Sequence, residues 1–339
     1  ATGGLVGSVG WSFSVDNDDV QFLAAGQRVT QRYDVTIGDG LGGSATLRVS
    51  VHVDGANDAP VIELDPDAGH ADRLQVSADL AGGGQLGVRD VDVADAVTVR
   101  RSFVGADQRD AWGDPMATDA GQPADAALQA MFSVDAGAVI VAGETHGTIT
   151  WSWSAPAGSF AYLAQGETLT ITYAVVASDG ADDSEPWLVT VEVTGGNGTP
   201  TIAVEDGDAA TATLIETDLP LATSGTLTVR DPDRSDTVDV SVGSVAATGA
   251  TLGAPSHAAL LAMFGAAGGI DAESVEGIVT WTFDSDLAAG ASGLPSETFD
   301  FLAEGATLLL TYVVRATDSH GDFAERDVVI TIVGTNDAP

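Results

Sequence analysis

Alternation of apolar and polar residues with a period of two is the dominant pattern along the chain. It runs through Val97-Thr98-Val99, Thr148-Ile149-Thr150-Trp151, Thr168-Leu169-Thr170-Ile171-Thr172-Tyr173 and Val189-Thr190-Val191-Glu192-Val193. Each run is rich in β-branched and aromatic residues, the side chains that fit a half-buried pleated surface. Clusters of Gly, Asp, Asn and Pro separate the runs at hairpin-like spacing. The pattern turns helical only in two short stretches, Ala124–Phe132 and Ser256–Phe264, where Leu, Met and Phe recur every three to four residues. These predict short helices that plug one end of a core. Many strands, little helix and no βαβ alternation predict an all-β fold of antiparallel Greek-key sandwiches.

The strand pattern repeats. Residues 11–60 align with 151–200 without a gap: Trp11-Ser12-Phe13 falls on Trp151-Ser152-Trp153, Tyr33 on Tyr173, and Asp39-Gly40 on Asp179-Gly180. A third copy follows with Trp281-Thr282-Phe283, Phe301-Leu302-Ala303-Glu304-Gly305, Tyr312 and Asp318, lengthened around Ala288–Pro295. Each copy closes on a similar phrase, Gly55-Ala56-Asn57-Asp58-Ala59-Pro60, Gly195-Gly196-Asn197-Gly198-Thr199-Pro200 and Gly334-Thr335-Asn336-Asp337-Ala338-Pro339, whose prolines lie 140 and 139 residues apart. A period of that size means whole domains in tandem. The expected division is residues 1–56 as the C-terminal half of a module, 57–196 and 197–335 as complete modules, and 336–339 as the start of a further linker. Half a sandwich leaves an open apolar face. Residues 1–60 are therefore expected either to complete a domain with missing or neighbouring chain, strand exchange with another copy included, or to begin inside a module. The recurring aromatics read as core, because a repeated fold requires repeated buried positions.

Composition narrows the partners. Of 339 residues, 50 are Asp or Glu and 12 are Lys or Arg, a formal net charge of −38. Such a surface repels nucleic acid and anionic lipid and attracts cations. A hydrophobic content of 44% is enough for real cores. There is no cysteine, which excludes disulfides and cysteine-based zinc or redox chemistry. No stretch approaches the roughly 18 apolar residues of a membrane helix, so direct membrane insertion is not expected. The N-terminus carries no export signal, and the chain is expected to be an excerpt of a longer polypeptide.

The charge concentrates in one recurring constellation. Asp90, Asp92 and Asp95 form an Asp-x-Asp-x-x-Asp loop, repeated by Asp231, Asp233 and Asp236. Three carboxylates on a short turn repel one another, and a hard divalent cation relieves that repulsion. The spacing lacks the fixed Gly and distal Glu of an EF-hand. The junctions add oxygen donors at Asn57, Asp58, Asn197, Asn336 and Asp337, and the loop after each Tyr-containing strand adds Asp39, Asp179 and Asp318. Calcium is the expected cation, and it would hold the orientation of successive modules. At the middle junction Gly198 replaces the Asp; Glu205, Asp206 and Asp208, like Glu63, Asp65 and Asp67 after the first junction, are reserves.

With the Asp-Pro-Asp-x-x-Asp loop, the Trp-Ser-Phe strand, the Phe-Leu-Ala-x-Gly turn, the Asp-Gly loop and the terminal Gly-Thr-Asn-Asp-Ala-Pro, the chain resembles the VCBS repeats. These are cadherin-like, immunoglobulin-type modules of giant RTX-type bacterial adhesins. The resemblance implies a secreted, calcium-binding extender that projects an adhesive tip from the bacterial surface and supports biofilm formation, its partners being neighbouring repeats of the same polypeptide. Gly198 and the long third copy depart from the pattern.

An enzyme is not expected. Gly38-Asp39-Gly40-Leu41-Gly42-Gly43 fits the letters of a dinucleotide fingerprint, but it lies between strands with no helix N-terminus to hold a phosphate. The histidines His52, His70, His146, His257 and His320 recur at no equivalent positions and show no metal-ligand spacing. Two other readings stand beside the extender. One is a glycan- or protein-binding module using Trp112 or the insertion at Ala288–Pro295; the other is an accessory region of a large secreted hydrolase.

Overall fold

A computed structural model describes residues 7–64, 73–76, 80–119, 121–272, 274–286 and 299–336. Asp337, the reserve acids Asp65 and Asp67, and the insertion Ala288–Pro295 lie outside these residues. The chain divides into two compact units. One comprises Ala1–Asp107, Pro123–Ala157 and Thr170–Val193; the other comprises Gln108–Gln122, Gly158–Leu169 and Thr194–Pro339.

The first unit begins with a hairpin of β1 (Arg28–Gly38) and β2 (Ser44–Asp54), paired without a bulge from Arg28↔Asp54 to Gly38↔Ser44. Then come β3 (Val61–Glu63), β4 (Arg73–Val76), β5 (Ala81–Arg89) and β6 (Val97–Arg109). A helix, α1 (Asp125–Met131), leads into β7 (Phe132–Val134), β8 (Ala138–Ile140), β9 (His146–Ser154), β10 (Thr168–Ser178) and β11 (Trp187–Thr194). The strands form a four-stranded sheet, β3-β5-β9-β7, and a five-stranded sheet, β4-β11-β10-β6-β8. Tyr173 of β10 stacks on Phe132 of β7 with ring centroids 4.4 Å apart, so the two sheets face each other across an aromatic core. The Tyr173 hydroxyl donates to the Leu128 carbonyl of α1 at 2.7 Å and accepts from Trp153 Nε1 at 3.1 Å. The helix thus closes the end of the core, as its Leu and Met spacing predicts.

The second unit repeats the plan with β12 (Thr201–Ala203), β13 (Thr211–Ile215), β14 (Ala222–Arg230), β15 (Val238–Gly249), α2 (His257–Ala262), β16 (Phe264–Ile270), β17 (Glu276–Asp284), β18 (Thr307–Asp318) and β19 (Phe323–Val333). Here one strand order, β12-β14-β17-β16-β15-β18-β19-β13, runs through all eight strands. The corner is β16, which pairs with β17 through Gly268 and with β15 from Gly269 onward. Gly268 and Gly269 have φ of 113° and 136°, and a Cβ on either would lie about 2 Å from a backbone carbonyl oxygen. Only glycine lets the chain change sheets there. Tyr312 stacks on Phe264 at 4.2 Å and donates to the Leu260 carbonyl at 2.8 Å, matching Tyr173 and Leu128.

Two findings depart from a purely antiparallel reading of the whole chain. Strand β4 runs parallel to β11, and β13 runs parallel to β19 over Thr211–Ile215. The cause is a sheet switch: β12 pairs with β14, then the chain crosses and joins the far edge as β13. The other departure is Trp11-Ser12-Phe13, which forms no strand although its counterpart lies in β9. Strand β9 is held between β5 and β7, and among the described residues no such strands flank residues 11–13. Trp11 is 61% exposed and Tyr33 42%, against 1% for Trp151 and 0% for Tyr173.

Candidate metal centres

In the first unit the turn between β5 and β6 carries Asp90, Asp92 and Asp95. The turn is built by its own acids: Asp92 N–H donates to Asp90 Oδ1 at 3.0 Å, and Asp95 N–H to the Asp92 carbonyl at 3.0 Å. The junction then docks on it. Asp58 N–H donates to Asp92 Oδ2 at 2.8 Å, while Asn57 Nδ2 donates to Asp179 Oδ2 and Asp182 Oδ2 at 3.0 and 2.9 Å. The Asp179 Oδ1 accepts Ala181 and Asp182 N–H, which folds its loop toward the junction.

The second unit reproduces this bond for bond. Asp233 N–H donates to Asp231 Oδ1, Gly198 N–H to Asp233 Oδ2 at 2.7 Å, and Asn197 Nδ2 to Asp318 Oδ2 and Asp322 Oδ2 at 3.0 and 2.8 Å. The missing carboxylate at Gly198 therefore leaves the backbone bond intact. A Cβ there would lie 2.5 Å from the Pro232 ring, so the Asp-Pro-Asp loop of this copy and the glycine fit each other.

Chemically, these sites are short of positive charge. Asp90, Asp92, Asp231, Asp233, Asp236 and Asp318 are buried. Asp90 Oδ2, Asp92 Oδ1, Asp231 Oδ2, Asp233 Oδ1 and Asn197 Oδ1 have no hydrogen-bond partner. They make up half of the unpartnered buried side-chain polar atoms found among the described residues, where such atoms are ordinarily rare. Burial, reinforced by Asp179, Asp92 and Asp95, pushes the Asp90 carboxyl above the usual carboxylate range. Burial and the charges of Asp231, Asp236 and Glu167 raise Asp233 to about 6, against the opposing Gly198 N–H bond. Oxygen-rich and under-neutralised, both donor sets suit a hard divalent cation in kind. Of the two sites it is the second that draws three ligand atoms within 4.8 Å of one another, from Asp236, Asp318 and His320, whereas the Asp90-Asp92-Asp95 turn with Asp179 does not.

Other sequence-predicted residues stand differently. Asp39 is exposed at the tip of its own hairpin, where its Oδ1 accepts Leu41 and Gly43 N–H. Among the reserves, Glu63 pairs with Arg89 and Glu205 with Arg230, while Asp208 accepts both Thr226 and Thr228 hydroxyls. Asn336 follows Thr335, whose N–H and hydroxyl both donate to Glu216 Oε2, at 3.0 and 2.7 Å.

Sequence reasoning missed Asp182 and Asp322, the second acceptors of each junction Asn. It also missed Glu216, which with Asp218 and Asp300 places three carboxylates within 4.8 Å. The signal for the first pair was the second acid of the Asp-Gly loop. The histidines do not recur, which argues against a role for His320, yet its Nδ1 lies 3.0 Å from Asp236 Oδ2.

The repeated Gly of the junction phrase also has a physical cause. Gly55, Gly195 and Gly334 donate to the carbonyls of Gln27, Glu167 and Ala306, and a Cβ on any of them would meet the Leu and Ala carbonyls of the Phe/Tyr-Leu-Ala turn at 2.2–2.5 Å.

Neither a protein-family model nor a curated protein matches this chain. Among solved structures, it is similar to a protocadherin gammaB7 EC3-6 cis-dimer structure, with 14% identity over 95% of this chain and 60% of that one and a TM-score of 0.38. Mouse protocadherin-24 EC1-3 gives 14% identity over 95% and 82%, with a TM-score of 0.32. Human CDH23 EC21-23 gives 12% over 82% and 69%, with a TM-score of 0.29. At these TM-scores the likeness adds no weight, and the paired-sheet architecture stands on its own strand pairing. No helix among the described residues is long and apolar enough to cross a membrane.

Proposed function

We propose that this chain is a calcium-rigidified extender region of a secreted bacterial surface adhesin or filament, without catalytic activity, supporting cell adhesion and biofilm formation. One observation carries the reading. A junction Asn and the following backbone N–H are tied in the same bonds to an Asp-x-Asp-x-x-Asp loop and an Asp loop in both units, around buried carboxylate oxygens that lack partners. Calcium would be held by Asp58, Asp90, Asp92, Asp95, Asp179 and Asp182 in the first unit, and by Asn197, Asp231, Asp233, Asp236, Asp318 and Asp322 in the second. It would supply the positive charge these oxygens lack and fix the chain as it enters each module.

Thermal unfolding in chelator, in millimolar calcium and in millimolar magnesium tests this. Calcium raising the transition while magnesium leaves it nearly unchanged is the expected result. No response to calcium sinks the reading. A second reading is favoured by Trp112, 88% exposed on a turn fastened by Asp110 Oδ1 to Trp112 and Asp114 N–H. Glycan-array binding lost in Trp112→Ala would support a binding module.

A further inference from the structure

The bond-for-bond repetition between the two loops breaks at one place. Asp318-Ser319-His320-Gly321-Asp322 is one residue longer than Asp179-Gly180-Ala181-Asp182, and it carries an imidazole where the first unit has none. His320 Nδ1 lies 3.0 Å from Asp236 Oδ2, and one ligand atom each from Asp236, Asp318 and His320 all lie within 4.8 Å of one another. Asp236 and Asp318 are buried, while the His320 side chain is 35% exposed, which leaves an entry path. The neighbouring Asp231 carboxyl feels the charges of Asp236, Asp318 and His320, and its Oδ2 has no partner at 1% residue exposure.

We propose that Asp236, Asp318 and His320 form a site for a divalent cation that accepts imidazole nitrogen, zinc(II) being the type, distinct in kind from the all-oxygen loop of the first unit. Calcium and magnesium take oxygen almost exclusively, whereas zinc is bound by His nitrogen and carboxylate oxygen together at about 2.0–2.2 Å. The 3.0 Å separation of Nδ1 and Oδ2 is near the edge of such a coordination shell, so little movement is needed. The inference rests on reading this loop as a cation site, though not on calcium as its occupant.

The test titrates zinc, and calcium in a parallel sample, into the full chain freed of metal by chelator and dialysis, with the histidines labelled with nitrogen-15. One equivalent of zinc is expected to move the His320 ring resonances, while His52, His146 and His257 stay in place. His320→Ala and His320→Gln are each expected to weaken this binding roughly tenfold or more, with the calcium-induced rise in melting temperature unchanged as the check on folding. His320 resonances unmoved by zinc, or His320→Gln binding as tightly as the parent, would overturn the proposal. A calcium response without a zinc response ends this inference alone. The absence of any response to either ion ends the cation reading of both loops.

Discussion

Asp233→Asn separates a cation ligand from an ordinary buried acid, because the two roles give opposite signs. Asp233 is fully buried, and its carboxyl sits at about 6 in the folded chain instead of 3.8. A folded-state pKa above the unfolded value means that ionisation costs stability. The cost is absent below pH ~4, grows between about 4 and 6, and is complete above 6. A rise from 3.8 to about 6 corresponds to about 3 kcal/mol. Asparagine keeps an oxygen for the 2.7 Å bond from Gly198 N–H and removes the charge. In chelator at pH 7 the variant should therefore be more stable than the parent, its melting temperature higher by roughly 6–12 °C. That advantage should vanish at pH 4. In calcium the order should reverse, because the parent gains from the ion and the variant has lost a charged ligand. Calorimetry in chelator and in calcium, at both pH values, reads all four conditions. A variant that melts below the parent in chelator at pH 7 refutes the electrostatic argument. Equal calcium shifts in both proteins refute the assignment of Asp233 as a ligand.

Tyr312→Phe removes only the hydroxyl that donates to the Leu260 carbonyl at 2.8 Å, and urea unfolding should show a loss of about 1–2 kcal/mol. Gly195→Ala places a Cβ 2.3 Å from the Ala164 carbonyl oxygen, where backbone has to move; it should cost ~2–4 kcal/mol, while Gly196→Ala, with open space around it, stays within ~0.5 kcal/mol. Trp151→Ala should cost about 3–5 kcal/mol, and Trp11→Ala at the aligned but exposed position well under about 1 kcal/mol. Equal losses would show that the hairpin face is covered in solution.

The periodic signals proved legible because they are written by local rules. Period two marked β6, β9, β10 and β11, and the Leu-Met-Phe spacing marked α1 and α2 within a residue or two at each end. The two carboxylate loops were legible as well, since three acids on one turn need a reason wherever the turn sits. Pairing that depends on tertiary context was not. Trp11 reads as a strand residue just as Trp151 does, yet a strand needs neighbours, and none among the described residues flank 11–13. The parallel course of β13 follows from a sheet switch that leaves no trace in alternation. Glu216 lies 119 residues from Thr335, so its bond to the third junction is invisible to any short-range pattern. His320 shows the reverse failure: lack of recurrence argued against a role, although it is the departure from the repeat that places an imidazole on Asp236.

The parallel run of β13 beside β19 also sets how the module answers a pull on its ends. These strands lie near the start and the end of the repeat and share five register pairs, Thr211↔Val329 to Ile215↔Val333. Drawing the ends of the repeat apart slides the two strands lengthwise past each other, so their cross-strand hydrogen bonds bear load side by side. An antiparallel pair opened from its end would instead surrender its bonds one after another. Under such a pull, resistance is concentrated along the short seam Thr211–Ile215, and a proline placed there would weaken the module where it is strongest.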